Sequence, residues 1–83
     1  MTNKILISIC VPMIEQNYEV FIPICKTVGQ IIKTIENSIK ELSQGEYKPS
    51  ASSMIYNEEG KLINPNLVVK ESGLVSGSNV III

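Results

Sequence analysis

The feature that most constrains the fold is one amphipathic stretch from Thr27 to Gly45, TVGQIIKTIENSIKELSQG. Its apolar residues recur every three or four positions, which places them on one face of an α-helix: Val28, Ile31, Ile32, Ile35, Ile39 and Leu42. The opposite face is polar and pairs Glu36 with Lys40 at a favourable i,i+4 spacing. No other segment shows a helical period, so the pattern predicts a sheet wrapped around one helix.

Both ends of this helix are marked in the sequence. Thr27 precedes Gln30 at the spacing of a capping box, in which each side chain bonds the other residue's backbone N–H. We therefore expect the helix to begin at Val28. Gly45 adopts a positive φ without a Cβ clash, which predicts that the helix ends shortly before it.

A β-hairpin is predicted before the helix. Apolar residues alternate from Lys4 to Val11 and again from Tyr18 to Ile24, with β-branched residues on the presumed core face. Pro12 marks a strand end, a bulge or a sheet edge, because it cannot donate a ladder hydrogen bond. Residues 15–17, Glu-Gln-Asn, are the predicted turn.

Short strands are predicted after the helix. Residues 53–57 form one strand, residues 58–61 a glycine turn and residues 62–63 a strand stub, and residues 67–69 are expected to be buried anchors. Four consecutive apolar residues, Val80 to Ile83, are typical of a strand central in a sheet. We expect this last strand to be interior, and a crossover past the helix permits it to lie parallel to the first strand.

Composition excludes several classes of function. The chain has no His, Arg, Asp or Trp and a net charge of -1, which predicts no nucleic-acid or anionic-lipid surface, no zinc site and no general base. We expect no enzyme activity, no cofactor and no metal. The apolar runs are far shorter than the roughly 18 residues of a membrane span. Residues 1–83 are therefore expected to form one cytoplasmic domain.

The two cysteines, Cys10 and Cys25, are a candidate disulfide. One hairpin register places them opposite each other, and registers that place Cys10 opposite Phe21 or Pro23 fit the core faces equally well. A cytosolic setting favours two reduced cysteines.

The order of hairpin, helix, short strands, turn and final strand resembles the ubiquitin-like β-grasp, an α+β fold with one helix on one face of a mixed sheet. The segment IYNEEGKLINPNLVVKESGLVSGSNVIII resembles the second half of that fold. Its part from Ser72 to Val80 is similar to small bacterial proteins of the YukD or EsaB type, although Asn79 stands where they usually carry Asp. This resemblance implies a cytoplasmic adaptor or regulator of type VII (WXG100) secretion that binds protein.

Two other functions remain open at this point. Ubiquitin-like modifiers and sulfur carriers act through a mobile Gly-Gly tail, whereas the sequence reaches Ile83 inside a predicted strand. We therefore expect no conjugation or sulfur transfer unless the native chain continues to a diglycine. The alternative is an interaction module of a larger secretion component.

Candidate binding residues follow from the strand alternation. If the β-branched residues face the helix, several apolar residues lie on the outer face of the sheet: Leu6, Phe21, Tyr56, Ile81 and Ile83. A contiguous apolar patch there predicts a surface for a protein partner or a second copy of the chain. The other interpretation is a set of scattered exposed residues.

Overall fold

The computed structural model describes residues 3–83. Its regular elements are β1 (Lys4–Val11), β2 (Gln16–Pro23), α1 (Val28–Leu42), β3 (Ile55–Asn57) and β4 (Asn79–Ile82). Two single 3₁₀ turns, Pro12–Ile14 and Val69–Glu71, lie in the connections. The prediction of one helix on the sheet is confirmed, and the two turns were not predicted because three residues are too few to show a hydrophobic period.

The strands form one mixed sheet in the order β2-β1-β4-β3. β1 pairs antiparallel with β2 and parallel with β4, and β3 pairs antiparallel with β4. The last strand is thus interior, as the apolar run predicted, and it lies parallel to the first. The chain crosses between them through α1, which packs on one face of the sheet and leaves the other face outward.

The core lies between α1 and the inner face of the sheet. Its fully buried members come from every strand and from the helix: Ile7, Ile9, Val11, Ile22, Val28, Ile31, Ile35, Ile39, Ile55, Val69, Val80 and Ile82. The capping box is present, with Thr27 Oγ1 accepting from the Gln30 N–H at 3.2 Å and Gln30 Oε1 from the Thr27 N–H at 3.0 Å. The predicted start of the helix is therefore confirmed.

Two helix residues depart from the predicted faces. Leu42 belongs to the apolar stripe but is 57 % exposed, because periodicity gives the direction of a side chain and not what covers it. Glu36 belongs to the polar face but is only 4 % exposed. It borders the stripe four residues after Ile32, and the segment that follows the helix folds over it.

The hairpin is tighter than predicted. The turn lies at residues 12–15, with Glu15 in the left-handed region at φ 53°, and Gln16 and Asn17 already belong to β2. Cys10 therefore pairs with Asn17, so none of the expected registers was right. Cys25 lies eight residues further along from Asn17, or about 26 Å of extended chain, too far for a disulfide. Both cysteines are free.

Of the predicted buried anchors at residues 67–69, only Val69 is fully buried in the connection between β3 and β4. Its N–H donates to the Lys26 carbonyl at 2.8 Å. Leu67 was expected to be buried but is 39 % exposed. Leu67 contributes a backbone contact instead, because its carbonyl accepts a hydrogen bond from the Val28 N–H at the start of the helix.

Candidate functional site

A row of apolar side chains crosses the outer face of the sheet. Directly paired residues project from the same face, so the strand register defines which side chains are neighbours. Cys10 pairs with Ile81, Ile81 with Tyr56, and Tyr56 forms an isolated bridge with Leu62. We call these four residues the apolar row. It runs from β1 through β4 and β3 to the segment after the β3 turn.

A polar row lies beside the apolar row. It consists of Glu19, Ser8 and Asn79, which are paired across β2, β1 and β4. The Asn79 Nδ2 donates to Glu58 Oε1 at 2.7 Å, which adds a carboxylate at the β3 side of this row. These polar groups bound the apolar row on one side.

The five predicted binding residues all lie on the outer face, but in three places. Tyr56 and Ile81 belong to the apolar row. Ile83 is 70 % exposed and exchanges two backbone hydrogen bonds with Met54, at 3.0 and 3.1 Å, in the neighbouring outward row. Leu6 and Phe21 form a cross-strand pair beyond the polar row. The polar row therefore separates Leu6 and Phe21 from the other three residues, and their role in binding stays a prediction.

Sequence reasoning missed three members of this surface. Cys10 was considered only as a possible disulfide partner, Leu62 only as part of a strand stub, and Met54 only as a strand residue. The positions of Cys10 beside Ile81 and of Met54 beside Ile83 depend on pairing between segments distant in the chain, and that of Leu62 beside Tyr56 depends on the turn after β3. Alternation gives the face of a residue and says nothing about its cross-strand neighbour.

A buried carboxylate lies on the opposite side of the molecule from this row. Glu36 Oε2 accepts three hydrogen bonds, from the Tyr47 hydroxyl at 2.9 Å, the Ser50 N–H at 2.9 Å and the Ser53 hydroxyl at 2.8 Å. Three donors on one oxygen compensate for the removal of a charge from water. Glu36 therefore ties the segment between α1 and β3 to the helix.

The Glu36 contact also changes the chemistry of Tyr47. Burial raises the pKa of the Tyr47 phenol above its ordinary value of 10.0, and the hydrogen bond and negative charge of Glu36 raise it further, against an opposing hydrogen bond with Ser53. The folded state therefore holds this proton more tightly than the unfolded state does. The resulting stabilisation is fully present below the unfolded pKa and is lost as the pH rises through the raised folded value.

We expect a corresponding loss of stability in alkali. The free energy of unfolding, measured by urea titration, should fall as the pH rises above about 10, and it should fall less steeply in the Tyr47→Phe variant. Tyr56→Phe is the matched control, since that ring lies on the outer face. Equal alkaline slopes for wild type and Tyr47→Phe would show that Tyr47 has no part in this loss.

One apolar pocket opens at the end of the sheet nearest the hairpin turn. It has a volume of about 210 Å³ and is lined by residues of the 3₁₀ turn, of the segment after α1 and of the end of β4: Pro12, Met13, Tyr47, Ser50, Ser52, Ser53, Ile82 and Ile83. We call it the end pocket. Within residues 3–83 no cluster of His, Cys, Asp or Glu could hold a metal ion.

Comparison with known proteins identifies the fold. Neither a protein-family model nor a curated protein matches the chain. Among solved structures, one described as a molecular mimic of SUMO that promotes DNA repair has a TM-score of 0.74 at 17 % identity, covering 100 % of this chain and 94 % of that one. The EccD5 ubiquitin-like domain from Mycobacterium xenopi has a TM-score of 0.71 at 14 % identity, covering 99 % and 94 %.

A third similar structure is a much larger assembly. A chain of the MycP5-free ESX-5 inner membrane complex has a TM-score of 0.73 at 10 % identity, covering 99 % of this chain and 21 % of that one. Together these likenesses and the strand order establish a ubiquitin-like β-grasp fold, as the element order predicted. Over residues 3–83, no helix has the length and apolar character needed to cross a membrane.

Proposed function

We propose that this protein is a non-catalytic, cytoplasmic ubiquitin-like adaptor or regulator of bacterial type VII secretion, of the YukD or EsaB type. It acts by binding a protein partner through the apolar row and not by conjugation. The observation that carries the proposal is the apolar row itself, which spans three strands on the face of the sheet that α1 leaves uncovered.

The outer face of such a sheet normally alternates to polar residues. Here Leu62 is 53 % exposed at the far end of the row, and the half-buried Tyr56 and Ile81 lie between it and β1. Ile83, in the neighbouring outward row, is 70 % exposed. Tyr combines a large apolar ring with a hydroxyl, which makes it a frequent interface residue. The polar row and Glu58 supply the polar border that interfaces commonly have.

Two lines of support connect this surface with type VII secretion. The first is the likeness of the fold to the EccD5 ubiquitin-like domain and to a chain of the ESX-5 complex. The second is the segment from Ser72 to Val80, whose two glycines, Gly73 and Gly77, have φ of 90° and 92°. Leu74 between them packs against the core, so the motif has a structural basis in this chain.

The structure allows a sharper test than a general loss of binding. Ile81→Glu, in the centre of the apolar row, should abolish capture of a type VII secretion component from native cells and abolish secretion itself. Phe21→Glu is the matched control, because Phe21 is 65 % exposed on the same face but lies beyond the polar row. It should leave both capture and secretion at the wild-type level, and circular dichroism should show both variants folded.

The opposite outcomes would overturn the proposal. Normal secretion with folded Ile81→Glu would show that the apolar row is not the functional surface. If Phe21→Glu reduced capture and secretion as much as Ile81→Glu, the binding surface would be the whole outer face or the part of it around Phe21. Analytical ultracentrifugation of wild type and both variants tests whether the partner is a second copy of the chain. A dimeric wild type and Phe21→Glu with a monomeric Ile81→Glu would show that it is.

A further inference from the structure

The end pocket has an apolar floor and an uncharged rim. Tyr47 and Ile82 form the floor and are 3 % and 2 % exposed. Met13 and Ile83 form walls and are 68 % and 70 % exposed, so their side chains gain most from being covered. Ser50, Ser52 and Ser53 also line the pocket, and no charged side chain among residues 3–83 does so. A charged occupant would therefore lose its hydration without a compensating partner.

The size of the pocket selects among occupants. Its 210 Å³ is below the roughly 300–1,000 Å³ typical of sites for cofactors and drug-sized ligands. An apolar cavity of about 150 Å³ is sufficient to hold benzene. The end pocket therefore matches one phenyl or isobutyl group, which is the size of a Phe or Leu side chain.

The pocket is held open from behind by the buried carboxylate of Glu36. Three lining residues, Tyr47, Ser50 and Ser53, each donate a hydrogen bond to the same Glu36 oxygen. The floor and one side of the pocket are thus attached to α1 before any partner arrives. Such preorganisation lowers the entropic cost of binding, so a single inserted side chain has a well-formed site to enter.

The pocket is continuous with the proposed binding surface through Ile83. This residue is a wall of the pocket and also pairs with Met54 in the outward row next to the apolar row. A protein segment lying along the apolar row therefore passes beside the mouth of the pocket, because Ile83 lies two residues after Ile81 on the same face. Interfaces concentrate binding energy where an apolar anchor fills such a cavity beside a flatter contact area.

We infer that the end pocket is the anchor site for one uncharged Leu or Phe side chain of the protein partner. The inference rests on the proposed function in one respect, namely that the anchor belongs to the partner held by the apolar row. It adds the chemistry that the partner must present: an apolar segment with a Leu or Phe at the end that meets Met13 and Ile83. On the rim, the Ser50 and Ser52 hydroxyls bond each other at 3.0 Å, which leaves one of their two protons to donate to a backbone carbonyl beside the anchor.

The test uses capped amino acids as probes, followed by ¹H–¹⁵N NMR of the whole protein. N-acetyl-phenylalaninamide and N-acetyl-leucinamide should cause saturable shifts at Met13, Tyr47 and Ile83, in the millimolar range expected for such small ligands. N-acetyl-alaninamide should bind at least about fivefold more weakly, since its methyl group leaves most of the pocket empty. A charge on the wall, Met13→Glu, should weaken the Phe and Leu probes about tenfold or more.

Leu42→Glu is the matched control, because Leu42 is an exposed apolar residue outside the pocket. It should leave probe binding unchanged. Shifts of equal size with the alanine probe, or shifts that persist in Met13→Glu, would overturn the anchor site. If the probes bind as expected but Ile81→Glu leaves partner capture intact, the anchor site is supported and the apolar row is not the binding surface. If the probes do not bind but Ile81→Glu abolishes capture, the apolar row is supported and the anchor site is overturned.

Discussion

Replacing Glu36 with alanine is expected to lower the free energy of unfolding by about 4 kcal/mol. The substitution leaves three donors without their acceptor: the Tyr47 hydroxyl, the Ser50 N–H and the Ser53 hydroxyl. Each buried donor that loses its partner costs about 1–3 kcal/mol. A domain of this size has a total stability of only about 5–15 kcal/mol, so the variant should be close to unfolding.

Urea unfolding followed by circular dichroism measures this loss. Glu36→Gln keeps a carbonyl oxygen in the same place and should cost less than half as much as Glu36→Ala. Glu41→Ala is the matched control, since Glu41 is exposed on the same helix and its loss should stay within about 0.5 kcal/mol. Equal stability of Glu36→Ala and Glu41→Ala would mean that the buried carboxylate contributes no net stability.

The second large effect distinguishes two residues that look equivalent in the sequence. Ile39 and Leu42 both lie on the apolar stripe of α1, yet Ile39 is fully buried and Leu42 is 57 % exposed. Ile39→Ala removes packed methyl groups and leaves a cavity, so we expect it to cost about 3 kcal/mol. Leu42→Ala should cost less than about 0.5 kcal/mol, because an exposed side chain loses little contact.

Thermal unfolding of the two alanine variants tests this difference. Ile39→Ala should lower Tm by more than 10 °C, on the basis of about 4–8 °C for each kcal/mol in a domain of this size. Leu42→Ala should unfold near the wild-type temperature. A similar loss in both would mean that Leu42 packs against the core in solution, and the position of the last helical turn would need revision.

The buried carboxylate and the end pocket have one structural origin. The segment after α1 shows no hydrophobic period, yet its Tyr47 is 3 % exposed and its serines bond to the helix. Tyr and Ser in a loop carry no periodicity, so nothing in the sequence indicates that they meet one Glu of the helix. The same contacts that stabilise the fold also give the pocket its floor, so Glu36 connects stability with the inferred anchor site.

The sequence predicted which face of the sheet carries the candidate binding residues, but not which of these residues are neighbours. Alternation placed Leu6, Phe21, Tyr56, Ile81 and Ile83 on the outer side, because successive side chains of a strand point in opposite directions. The pairing of Cys10 with Ile81 joins residues far apart in the chain, and that of Tyr56 with Leu62 joins residues across the turn after β3. Neither pairing follows from alternation along a single strand.

The sequence alone determined the elements whose cause is local. The apolar period and the capping box specify α1, and the alternation and the final apolar run specify the strand faces and the interior position of β4. These signals depend on residues a few positions apart. Tertiary structure alone decided the hairpin register, the division of the outer face by the polar row, and the burial of Glu36. The hairpin register depends on the geometry of the turn. The other two features depend on which segment pairs with or covers a side chain, and the pattern within one segment does not specify its partner.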